Sequence, residues 1–232
     1  MISISLHKIY RLLCCAVLGL TLANLAAQVA RYFLILDRRS AIYRLLNVNN
    51  EANIPTWYST IALLVCVLLL ALIATLKQQQ NDRFTNHWRG LALLFLLLSL
   101  DEAASLHEKL NPFMRSLLNV DDNLLFLWVI PGSIFAGAIA LFYWKFLMSL
   151  PSQMRNLILF SAALYLSGAI GLELLTGFAV LNISGLHQLL LALVVAIEEL
   201  LEMLGILLFI RALLLYIGSQ FPAVRIHFSQ KD

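Results

Sequence analysis

Apolar residues in this chain fall into long runs separated by short polar stretches. A helix rises 1.5 Å per residue, so about 20 residues cross a hydrocarbon core of ~30 Å. Runs of that length lie at approximately 12–36, 58–76, 88–110, 124–146, 155–178 and 186–212. The pattern predicts one transmembrane domain over 1–232: an all-α, polytopic integral membrane bundle of six helices. The largest polar connector, 37–56, holds Arg38, Arg39, Arg44, a turn-prone NVNNEAN and Pro55. It reads as an exterior loop with a short interfacial helix near 41–46.

The runs differ in purity. Residues 58–76 carry no charge and end at Lys77 and QQQNDR. The first run comes after Lys8 and Arg11 and ends in small residues, which also fits a secretory signal peptide cut near Ala27 or Ala30. Its length favours an uncleaved span. In the third, the unbroken apolar part, 90–100, rises only about 16 Å. To cross, it must carry DEAASLHE inside, with Asp101 and Glu102 near mid-membrane, His107 and Glu108 near the far surface, and Pro112 ending the helix. The alternative is a half-span stopping at Leu100 and continuing as an amphipathic interfacial helix.

In the fourth run Pro131 and Gly132 predict a kink, and Gly132, Ala136 and Ala140 form a small-residue stripe that lets another helix approach. The fifth passes Ser167, Gly168 and Gly171 before Glu173. The sixth holds Glu198, Glu199 and Glu202. Trp57, Trp88, Trp128 and Trp144 fall near the proposed ends, as an aromatic belt would place them.

Composition agrees: of 232 residues 61% are hydrophobic and 12% charged, with mean hydropathy +0.86, too little polar surface to coat a soluble globule. The net charge of +3 then belongs to loops that set orientation, not to nucleic acid binding. With the N-terminus inside, ten of the 16 Lys and Arg residues fall on the inner side. Both termini are thus expected in the cytoplasm, and the setting in a bacterial inner membrane. Cys14, Cys15 and Cys66 sit in apolar runs without metal spacing and read as packing residues.

The chemistry lies in the intramembrane acids. Each ionisable residue at a span's centre costs about 2.5–3.5 kcal/mol on insertion scales, so partners, protons or a cation must offset Asp101, Glu102, Glu198, Glu199 and Glu202. Counted from opposite faces, both acidic pairs land near the midplane, with His107, Glu108, Glu173 and His187 nearer the outer surface. This predicts a polar column walled by the third, fifth and sixth spans. On unbroken helices Asp101, Ser105 and Glu108 share a stripe, and His107 points roughly 120° from Asp101. Glu198, Glu202 and His187 share a face, although His187 lies about 16 Å from Glu198 along the axis.

Named metal motifs fit poorly. A ferritin-like Glu-x-x-His pair is missing, because Glu102 and His107 are five apart, and HExxH is absent. A looser divalent-cation site from Glu102, His107, Glu173, His187, Glu198 and Glu202 stays open. The bland reading makes His107 a solvated interface residue, Glu108 a loop charge and Glu173 a structural hydrogen-bonding group.

These residues support three function classes. The leading one is a small transporter or proton-linked exchanger binding protons or a divalent cation at the carboxylate cluster. The second is an intramembrane metal-dependent enzyme acting on a lipid or quinone. The third is a non-catalytic subunit or assembly factor whose acids are neutralised by a membrane-protein partner or another copy. The acidic pairs also sit in the third span of each three-span half, the arrangement of an inverted 3+3 repeat.

Overall fold

The computed structural model describes residues 6–33, 37, 39–48, 50, 53–120, 126–182 and 187–221, without the side chains of 6, 7, 178–182, 187 and 188. All regular structure among them is helical: α1 Leu6–Phe33, α2 Ala41–Leu46, α3 Ile54–Gln79, α4 Thr85–Ala104, α5 Leu106–Leu118, α6 Val129–Ser149, α7 Ser152–Leu166, a π-helical turn Ser167–Leu172, α8 Glu173–Asn182 and α9 His187–Gln220. Five stretches are each long and apolar enough to cross a membrane: Lys8–Phe33, Ile54–Gln79, Val129–Ser149, Ser152–Gly177 and Leu189–Gln220. The chain is a multi-pass membrane protein.

The core forms where α3, α4, α6, α7 and α9 meet. Leu63, Leu70 and Ile73 of α3 pack with Trp88 of α4, Phe146 of α6, Ile158 of α7, and Ile210 and Leu213 of α9. Because lipid tails are as apolar as these side chains, close packing rather than escape from water holds the helices together here. α1 joins through Val17 against Met203 and Leu207 of α9. α3 and α4 form an antiparallel pair because a tight turn joins them: Asn81 is left-handed with φ 53°, and Asp82 accepts from the Phe84 N–H at 2.8 Å. α6 lies at the margin, with Ile134, Leu141 and Phe142 exposed, as expected of a lipid-facing helix.

The short helix expected near 41–46 is α2. Ser40 caps it by accepting from the Tyr43 N–H at 3.3 Å. A buried polar knot ties it to α1: Tyr43 donates to Gln28 Oε1 at 3.2 Å, Gln28 donates to Asn47 Oδ1 at 2.8 Å, and the Val48 N–H donates to Asn24 Oδ1 at 3.3 Å. Asn53 then starts α3, its side chain accepting from the Thr56 N–H at 2.7 Å. The loop after α1 thus pairs the Gln28 amide and the Asn24 carbonyl oxygen, polar groups that would be costly in lipid, while the buried Asn24 Nδ2 finds no partner among the described residues.

The third apolar run departs from the straight span expected over 88–110. α4 stops at Ala104, and Ser105, left-handed at φ 46° and ψ 51°, turns the chain into α5, which leaves at 81°. Twenty residues of α4 rise about 30 Å, and α4 and α5 together have the length and apolarity of one bent span. The break falls at Ser105 rather than Leu100, so Asp101 and Glu102 occupy the last turn of α4 instead of the middle of a longer helix. Pro112 does not end a helix either, since α5 runs through it to Leu118. Leu106, Leu110, Phe113 and Leu117 are exposed on α5 at spacings of four, three and four, an apolar stripe suited to lying on a membrane surface. The fourth helix begins at Val129 rather than 124. The Gly132, Ala136, Ala140 stripe is partly open, with Ala140 exposed.

Candidate functional site

The break at Ser105 builds the site's first contact. With the chain bent there by 81°, His107 comes back against Asp101 at the end of α4. Its backbone N–H donates to Asp101 Oδ1 at 2.7 Å, and its ring Nδ1 lies 2.9 Å from Asp101 Oδ2. A carboxylate at that position fixes the ring proton on Nδ1 and leaves Nε2 to other groups. Lys109 donates to the Ala104 carbonyl at 2.6 Å, covering an acceptor that the end of α4 leaves free.

The His107 ring packs on Trp128, with centroids 4.7 Å apart and planes at 52°. Trp128, at the start of α6, is pinned from two sides. Its backbone N–H donates to Asn111 Oδ1 of α5 at 2.9 Å, and its indole Nε1 donates to Glu173 Oε1 at 3.3 Å. One residue therefore links the surface helix to α8.

Glu173 owes its direction to the π-helical turn before it. A π-turn inserts one extra residue, which rotates the downstream residues by roughly 100° relative to an unbroken α-helix. The turn also lies directly on α9. A Cβ on Gly168 would stand 2.8 Å from the Glu198 carbonyl oxygen and 3.0 Å from Glu202 Cγ. Farther along the same contact, a Cβ on Gly205 would meet Tyr165 Cβ at 2.8 Å and the Ser161 carbonyl at 2.9 Å. Only glycine permits so close an approach, and that approach carries α8 and α9 together so that Glu173 lies within electrostatic reach of Glu198.

Glu198 is buried. Glu199 and Glu202 are half-buried beside it, and Glu102 of α4 lies within electrostatic range of both. Tyr165 of α7 faces the same group, feeling Glu202, Glu102, Asp101 and Glu199. The site thus collects Asp101, Glu102, Glu173, Glu198, Glu199 and Glu202 from α4, α8 and α9. His107 is the basic group paired with one of them.

Two other candidates stand apart. Glu108 is exposed on α5 and acts on His107 by its charge. The side chain of His187 lies outside the described residues. Among the described residues no three His, Cys, Asp or Glu groups are arranged to hold a metal ion, and His107 Nδ1 is taken by Asp101 rather than offered beside Glu102.

Trp128, Asn111 and Tyr165 escape the sequence. Trp128 reads as a belt residue by position; Trp57 and Trp144 do point outward, at 66% and 57% exposure, whereas Trp88 is 1% exposed in the core. Tyr165 is one apolar-run aromatic among many. Its spacing of three from Gly168 is the available signal, because a small residue marks where another backbone comes close.

No curated protein and no solved structure matches this chain. A family model described as "Domain of unknown function (DUF8692)" matches residues 12–217, and the chain belongs to that family.

Proposed function

We propose that this protein is a small proton-linked transporter or exchanger whose carboxyl cluster is the proton-binding site. The observation that carries it is the close approach of the helix bearing Glu173 to the Glu198–Glu202 stretch of α9 at Gly168, which gathers these carboxyls within electrostatic reach of one another. Two buried carboxyls brought near each other favour holding a proton, since two bare carboxylates repel. With Glu199, Glu202 and Glu102 close by, and His107 the paired base, the cluster can take up and release protons without leaving a matching set of buried cations behind. Asp101, His107 and Glu108 sit toward the α5 side and would form the entrance; Trp128 positions Glu173 and the His107 ring.

Counting α4 as a crossing gives six, with α5 flat at the outer surface. An even number puts both termini on one side, and the excess of Lys and Arg favours the cytoplasmic side of a bacterial inner membrane. The inverted 3+3 relation draws little from the packing, since α9 is one helix of 34 residues while its counterpart breaks at Ser105. A metal-dependent lipid or quinone enzyme needs several ligands on one point, and the described acids are spread over three helices instead. A subunit role would bring a partner's basic residues to these acids, in a bilayer that otherwise covers α6.

The test is reconstitution into liposomes with an internal pH dye, an imposed proton gradient and a panel of monovalent and divalent cations. Wild-type protein should collapse the gradient with at least one cation, and Glu198→Gln or Glu173→Gln should lose that exchange while still inserting. Vesicles that hold the gradient as well as empty ones with every cation, or variants that match wild type, would overturn the proposal.

A further inference from the structure

The end of the bundle opposite α5 carries a different chemistry. Helix ends and turns there contribute Lys8, Arg11, Lys77, Arg83, Arg89, Lys145, Arg155 and Arg211, against one carboxylate among the described residues, Asp82. Two clefts open on this end. One, of about 660 Å³, lies between the α3–α4 turn, the α6–α7 connection and the end of α9. The other, of about 650 Å³, runs along α6. They share Arg83 and Phe84 as a common wall.

The cations differ in whether their charge is already matched. Lys77, buried, is 3.3 Å from Asp82 Oδ2 and 5.7 Å from the Tyr216 ring centre; its charge is satisfied and it braces the floor. Arg83 stacks on Phe84 at 4.6 Å, which holds the guanidinium in place but offers no anion. Lys145 opens onto the second cleft. Neither Arg83 nor Lys145 has a carboxylate partner among the described residues. The second cleft's remaining walls are apolar: Trp144 is 57% exposed and Met148 39%, on the face that looks into lipid.

We infer that Arg83 and Lys145 hold the phosphate of an anionic phospholipid, with its acyl chains lying along Trp144 and Met148. Guanidinium and ammonium groups at the edge of apolar walls suit a ligand with a phosphodiester head and hydrocarbon tails, whereas a free anion would gain nothing from the Trp144–Met148 side. The fixed Arg83 plane permits two parallel N–H bonds to the phosphate oxygens, and Lys145 adds a point charge.

The experiment is thermal unfolding of delipidated full-length protein, titrated with phosphatidylglycerol or phosphatidylcholine in mixed micelles, and with inorganic phosphate added to the phosphatidylcholine series. Phosphatidylglycerol should raise Tm beyond phosphatidylcholine. Arg83→Ala and Lys145→Ala should each weaken its apparent affinity about fivefold, while Arg44→Ala, on the exposed face of α2, should leave it unchanged. Arg83→Lys should recover part of the loss. Equal effects of the two lipids, equal responses of wild type and both variants, or a Tm rise that inorganic phosphate alone reproduces would each overturn the lipid site.

Discussion

Asp101 holds His107 twice, its Oδ1 accepting the backbone N–H at 2.7 Å and its Oδ2 facing ring Nδ1 at 2.9 Å. On an unbroken helix these residues would point roughly 120° apart. The left-handed Ser105 between them makes the grip, and the grip in turn holds the bend, because it fills the first-turn N–H of α5 that would otherwise lack a partner.

Asp101→Asn therefore separates charge from shape. One amide oxygen can still accept the backbone N–H, but the amide nitrogen turned to the ring cannot accept from Nδ1–H. The expected result is a shift of the ring proton to Nε2, seen in nitrogen NMR of His-labelled protein. The stability loss should be about 1–2 kcal/mol, at the low end for a hydrogen bond to a charged group because the pair is a third exposed. An unchanged His107 tautomer would contradict the pairing.

Ser105 offers a cleaner test of the bend. Its hydroxyl makes no capping bond, so only its backbone matters. A left-handed residue with a Cβ costs about 1–2 kcal/mol. Ser105→Gly should remove most of that cost and raise Tm with proton exchange intact. Ser105→Val, whose branched Cβ fits the left-handed region worst, should lower Tm and loosen α5, read as faster proteolysis between α4 and α5.

Local signals and tertiary ones separate cleanly in this chain. The long apolar helices and α2 are legible in the sequence because hydropathy and turn chemistry act locally, although the loop read over 37–56 gives up its last residues to the first turn of α3. The acids are legible because carboxyls amid 189–210 have no local explanation. Their geometry is not legible, since it depends on two departures from regular α-helix. Ser105 is an ordinary helical residue by propensity, and nothing nearby forces it left-handed; the contact with His107 becomes apparent only in three dimensions. The π-turn at Ser167–Leu172 likewise redirects Glu173 by an amount no 100° count would supply. Asn24 and Gln28 give no signal of their own because the groups that bond them come from a loop about 20 residues on.

The glycines of the α7–α9 contact should tolerate no side chain. Gly168→Ala places a methyl against the Glu198 carbonyl, and Gly205→Ala places one against the Tyr165 and Ser161 backbone. Backbone cannot rotate away as a side chain can, so each substitution should cost about 1–3 kcal/mol. Gly168→Ala should also part Glu173 from Glu198 and impair exchange, whereas Gly205→Ala acts lower in the seam. Thermal unfolding in micelles alongside the liposome assay separates the two. Wild-type stability in both variants would show that the helices lie farther apart.

Trp128 lets positioning be distinguished from proton handling. Its indole N–H reaches Glu173 while its ring supports His107, and indole itself carries no exchangeable proton useful at neutral pH. Trp128→Phe keeps an aromatic face for His107 and removes the donor, so Glu173 should turn more freely. The stability cost should be only about 0.5–1.5 kcal/mol, with exchange slowed but not abolished. Trp128→Ala removes both supports and should release α5 as well, with a larger fall in Tm. If Trp128→Phe abolished exchange as completely as Glu198→Gln, the indole N–H would belong to the proton path rather than to its scaffold; if it changed neither rate nor stability, the bond to Glu173 would carry no function.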